Sequence, residues 1–130
     1  MDVSLGHPTG LSFAFAPTFA DMDRDGHVDL VVAGDFGGSR LFWNNGDGGF
    51  TNGTIAAGVG SDENGMGSAI GDYDGDGDLD WFVSSIYEAG GACGGLEVCG
   101  WGDSGNRLFR NNGDRTFTDA TDTAGVRDGG

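Results

Sequence analysis

The chain writes one run of alternating carboxylates twice, as Asp21-Met22-Asp23-Arg24-Asp25-Gly26-His27-Val28-Asp29 and as Asp72-Tyr73-Asp74-Gly75-Asp76-Gly77-Asp78-Leu79-Asp80. Acid at positions 1, 3, 5 and 9 with glycine at 6 is the pattern of a loop that wraps a hard cation. Calcium takes about six to eight oxygens at about 2.3–2.6 Å, and alternate residues of a tight loop can aim that many inward. The glycine supplies a backbone turn that a residue with a Cβ resists. Without a cation, neighbouring carboxylates about 4 Å apart repel by roughly 4 kcal/mol at an effective dielectric near 20. The alternative for one such run is an acidic surface turn; two in the same phase predict two calcium sites.

These loops differ from EF-hands, which close on a bidentate glutamate at position 12 between two helices. Position 12 is Val32 in the first loop and Val83 in the second. The residues that follow, Val28-Asp29-Leu30-Val31-Val32 and Leu79-Asp80-Trp81-Phe82-Val83, are β-branched and aromatic, as strands are. Each loop therefore leads into a strand, and its cation has a static, stapling role.

The repetition continues past the loops. Residues 40–59 align without gaps on 107–126, with identity at thirteen of twenty positions. Both copies hold Arg-Leu-Phe-x-Asn-Asn-Gly-Asp-x-x-Phe-Thr, as Arg40 to Thr51 and Arg107 to Thr118. The Asn-Gly pairs between apolar runs are hairpin signals, since both residues tolerate positive φ. Each unit reads strand, calcium loop, strand, hairpin strand, turn, strand. The prediction is an all-β chain, 1–130, of about two four-stranded antiparallel units, each the size of one propeller blade. The calcium loops lie at 21–29 and 72–80, the hairpins at 40–51 and 107–118.

The loops begin 51 residues apart (21 and 72) and the hairpins 67 apart (40 and 107), which places an insertion of 16 residues within 86–106. That segment is rich in glycine and holds both cysteines, Cys93 and Cys99. A disulfide between them would pin a stretch that is costly to order. Free thiols are the alternative; zinc would need further cysteines or histidines. The chain also reads as starting and ending in mid-repeat, so its blades are expected to complete themselves against others, in a longer chain or in identical copies joined as a ring or a filament.

Eighteen of the 21 acidic residues are aspartate, the six basic residues are all arginine, and the net charge is −15. Aspartate suits turns and short-reach coordination. A charge of this size excludes nucleic acid and anionic membrane as partners. No apolar run approaches the roughly 18 residues of a membrane span. The 28 glycines fit tight turns between short strands, not helices.

The aspartate loop, its strand and the Arg-Leu-Phe-x-Asn-Asn-Gly-Asp-x-x-Phe-Thr hairpin together resemble the FG-GAP/VCBS repeat family, most closely at Gly71-Asp72-Tyr73-Asp74-Gly75-Asp76-Gly77-Asp78-Leu79-Asp80. The resemblance covers nearly the whole chain apart from the cysteine-bearing insertion and residues 6–16. It implies an extracellular, calcium-binding β-propeller module of the kind found in integrin α-subunit heads, bacterial surface proteins and some polysaccharide lyases. It further implies calcium ligation by Asp21, Asp23, Asp25 and Asp29, and by Asp72, Asp74, Asp76 and Asp80, with backbone carbonyls from His27 and Asp78. The literal Phe-Gly and Gly-Ala-Pro strings are missing, so integrin ligand properties do not transfer.

Neither His7 nor His27 has a serine or cysteine in a nucleophile context, so no catalytic residue is assigned. Trp43 and Trp81 fall on predicted strands and read as core. Trp101, beside Cys99, either covers the disulfide or offers a stacking face to a glycan. Asn52-Gly53-Thr54 is a glycosylation sequon, relevant only in a secretory host. The expected function is a structural or adhesion module, not an enzyme, contacting protein or glycan ligands through surface loops. The alternative is a non-catalytic segment of a propeller-type carbohydrate-active enzyme.

Overall fold

The computed structural model describes residues 13–35, 39–61, 65–85 and 105–127. Two four-stranded antiparallel sheets form, as the repeat predicts. The first is β1 (Phe13–Ala20), β2 (Asp29–Asp35), β3 (Arg40–Asn44) and β4 (Phe50–Asn52); the second is β5 (Gly65–Gly71), β6 (Asp80–Ser85), β7 (Arg107–Asn111) and β8 (Phe117–Asp119). In both, strands pair in sequence order, a meander of the propeller-blade type. Leu30 faces Phe42 in the first sheet, and the matching Trp81 faces Phe109 in the second. Even the irregularity repeats: the register slips between Ala14 and Ala16 and again between Gly65 and Gly67.

Strand periodicity of two sorts each sheet into two faces. Val31, Ala33, Leu41 and Trp43 point from the first sheet into the main core, where they meet Trp81, Val83, Phe109 and Phe117 of the second. By the repeat, those four second-sheet residues correspond to Leu30, Val32, Phe42 and Phe50, which form a separate cluster on the far face of the first sheet. The sheets therefore stack head to tail, one kind of face against the other. Met22, second in the first loop, is buried in this seam, whereas its counterpart Tyr73 is 48% exposed.

Glycine content pointed away from helices, yet each sheet ends in one helical turn, α1 (Thr54–Ala57) and α2 (Thr121–Ala124). The cause is local: Thr54 Oγ1 accepts the Leu41 amide at 2.9 Å and Thr121 Oγ1 accepts that of Leu108 at 3.0 Å. The chain is thereby turned back under its own sheet. Four residues are too few for a helical periodicity to show in sequence. The sequon serves the same turn, since Asn52 Oδ1 accepts both the Thr54 amide (3.1 Å) and hydroxyl (2.7 Å).

Gly53 meets a tight limit. A Cβ there would stand 2.2 Å from Nε1 of Trp43 and 2.4 Å from its Cδ1. The second sheet has Ala120 at this place, with Arg110 in place of the tryptophan. Gly53→Ala is expected to cost about 1–3 kcal/mol through the displaced ring; urea unfolding checks it, and a loss within error would show that the ring moves freely.

Candidate metal centres

Both aspartate loops join the first two strands of their sheets and fold by the same hydrogen bonds. Asp21 accepts the amides of Asp25 (3.1 Å) and Gly26 (2.9 Å); Asp72 accepts those of Asp76 (3.1 Å) and Gly77 (2.8 Å). Asp25 and Asp76 each accept the amide two residues on, at 2.9 Å. Gly26 and Gly77 take φ of 90° and 91°, the left-handed turn that position 6 requires.

Position 9 is the anchor. Asp29 is fully buried, with one oxygen accepting the Met22 amide at 2.8 Å and the other the Asn44 amide at 2.9 Å. Asp80 repeats this with Tyr73 (3.1 Å) and Asn111 (2.8 Å). Each of these carboxylates ties its loop to the hairpin strand two elements on. The asparagines complete the tie: Asn44 Nδ2 donates to Val28 O at 2.8 Å, and Asn111 Nδ2 donates to Leu79 O at 2.9 Å and across the seam to Met22 O at 2.7 Å.

In the first loop, Asp21, Asp23 and Asp29 bring carboxylate oxygens within 4.8 Å of one another; in the second, Asp72, Asp74, Asp76 and Asp80 do. Asp25 stands outside the first group. Burial pushes up the pKa of Asp23, Asp29, Asp74 and Asp80, with neighbouring carboxylates adding to it. The Gly77 amide holds Asp72 below the ordinary range, and the His27 amide does the same for Asp25. A donor set made only of hard carboxylate oxygens, partly desolvated and crowded, fits a divalent cation such as calcium.

The side chains at position 7 lie elsewhere. A Cβ on Gly46 would be 3.0 Å from Nε2 of His27, and one on Gly113 would be 3.1 Å from Oδ2 of Asp78, so both side chains rest on the Asn-Gly turns. Asp78 also pairs with Arg24 of the first loop at 3.4 Å. From the turn between β7 and β8, Arg115 reaches Asp23 at 2.7 Å and stacks over Trp43, 4.9 Å from the ring centroid. Sequence reading passed over Met22, Arg24, Asn44, Asn111 and Arg115. A signal existed for the arginines: in the repeat alignment they replace Gly75 and Gly48.

Trp43 and Trp81 are core residues, at 6% and 0% exposure. His7, Cys93, Cys99 and Trp101 lie outside the described residues, as do residues 86–104 of the insertion. Among the described residues, no helix is long and apolar enough to cross a membrane. A family model for the FG-GAP-like repeat matches residues 5–83, which takes in residues 6–16, the first sheet and the second loop. Comparisons with curated proteins and with solved structures returned no match.

Proposed function

Because this chain belongs to the FG-GAP-like repeat family, we propose that it is an extracellular calcium-stapled blade module, structural or adhesive and not catalytic. The observation that carries this reading is the pair of carboxylate groups, each within 4.8 Å, at equivalent loops of two stacked sheets. Asp21, Asp23 and Asp29 would hold one ion, and Asp72, Asp74, Asp76 and Asp80 the other, with Asp25 and the carbonyls of His27 and Asp78 as further donors. Bound calcium supplies positive charge that removes the mutual repulsion of these acids. The chain's own contribution is to keep each loop closed through its position-9 anchor.

Assembly follows from the unused faces. The far face of the first sheet exposes Phe15 and Phe19, beside Leu30, Val32 and Phe42, which are themselves buried. The far face of the second offers a groove lined by Ala69, Tyr73, Phe82 and Leu108. These are the two kinds of face that already meet inside the chain. Their partners in this reading are further blades of the same type, in a longer chain or in identical copies arranged as a ring or filament. Ligand contact, with protein or glycan, belongs to the surface loops, and a disulfide between Cys93 and Cys99 would brace the inserted one.

Calorimetry with calcium against chelator tests the central claim. Two ions per chain are expected, each adding roughly 2.7 kcal/mol of stability at a free concentration 100 times its Kd. An unchanged melting temperature together with no heat of binding would end the reading.

A further inference from the structure

We propose that Arg115 is a positioning residue of the first loop: it holds Asp23 from across the seam and makes loop 21–29 the weaker of the two ion sites. The inference rests on the calcium reading above. Nε and Nη2 of Arg115 converge on one oxygen of Asp23, at 2.9 and 2.7 Å. Its Nη2 also stands 3.9 Å from Asp25 Oδ2. Asp23 belongs to the first carboxylate group, and Asp25 is the member that this group lacks when set beside the second. The guanidinium thus occupies, as a resident cation, the acids that a divalent ion would need.

Backbone conformation marks the same residue. Among the described residues, Arg24 and Arg115 are the non-glycines with positive φ, at 61° and 69°. Their counterparts in the other repeat are Gly75 (φ 72°) and Gly48 (φ 92°). Both arginines therefore sit in a conformation that favours glycine, and both reach across the seam to the other unit's acids. Their targets differ in kind. Arg24 takes Asp78, which is not in the carboxylate group of its loop, while Arg115 takes Asp23, which is. Asp74, the residue matching Asp23, instead has Asp72, Asp76 and Asp80 as its charged surroundings. An ion entering the first loop must share Asp23 with the guanidinium, so occupancy of that loop loosens one cross-seam contact. The second loop meets no such exchange from Arg24.

Isothermal titration with calcium reads this directly. Wild-type protein is expected to show two unequal sites; Asp74→Asn weakens one of them and so identifies the other as loop 21–29. Arg115→Gly, the residue that the first sheet has at this place, should tighten that site by about tenfold, since a unit charge beside a divalent ion is worth on the order of tenfold in affinity. Arg115→Gln, which keeps much of the bulk over Trp43, should tighten it in the same direction, and Arg115→Lys should leave it near wild type. A role confined to packing would lower the melting temperature and leave the affinity of loop 21–29 within about twofold, and that result overturns the proposal. Ions bound with no response to Arg115 sink this inference alone; a wild-type chain that binds no calcium sinks the calcium reading with it.

Discussion

Trp81→Ala is expected to remove about 3–5 kcal/mol of stability, the cost of truncating a large aromatic in a packed core. Trp81 is wholly buried, lies 5.7 Å from the ring of Phe109 and donates Nε1–H to Ser68 Oγ at 2.7 Å. Around it are Met22, Val31 and Trp43 of the first unit, so the cavity would open in the seam itself. A small domain has only about 5–15 kcal/mol in total, and this variant should unfold at room temperature in little denaturant. Tyr73→Ala is the control: exposed on the far face of the second sheet, it should change the stability of the isolated chain by no more than about 0.5 kcal/mol. Urea titrations of the two variants decide the matter. A Trp81→Ala loss below about 1 kcal/mol would mean that the seam is not the core.

The elements that sequence made legible are those whose determinants lie within a few residues. Alternating acid with Gly26 or Gly77 defines a loop, β-branched residues after it define a strand, and Asn45-Gly46 or Asn112-Gly113 defines a hairpin; all are present where the repeat placed them. Faces were harder. Nothing in Leu30-Val31-Val32-Ala33 says which alternate set meets another sheet, because both sets are apolar; the answer depends on Trp81 and Phe109, more than 45 residues away. Met22 and Tyr73 look alike as apolar residues between aspartates, yet one is 1% and the other 48% exposed. The seam contacts of Arg24 and Arg115 join positions 54 and 92 residues apart. Local pattern does not carry information at that range. Asp25, too, stands 3.9 Å from a guanidinium of the other unit, a neighbour that no local pattern announces.

Asp29→Asn should separate the two duties of position 9. Both oxygens of Asp29 accept backbone amides, from Met22 and Asn44. An asparagine side chain has one acceptor, so one buried amide is left without a partner, at about 1–3 kcal/mol. That loss is expected in chelator, where no ion contributes. In calcium the gap to wild type should widen by the stabilisation that the first loop draws from its ion, roughly 2.7 kcal/mol at 100 times Kd. Acid has a definite sign here. Burial raises the Asp29 pKa above its ordinary 3.8, so the folded chain holds this proton more tightly than the unfolded one. The contribution of this group to metal-free stability is then fully present below about pH 3.8 and declines as pH rises through the raised folded value. In chelator, the advantage of wild type over Asp29→Asn should shrink as pH rises from 4 to 7; in calcium it should grow over the same interval, because the ion takes the carboxylate form. Thermal melts of both proteins across that range supply the check. Parallel curves with and without calcium would show that Asp29 is an anchor alone and holds no ion.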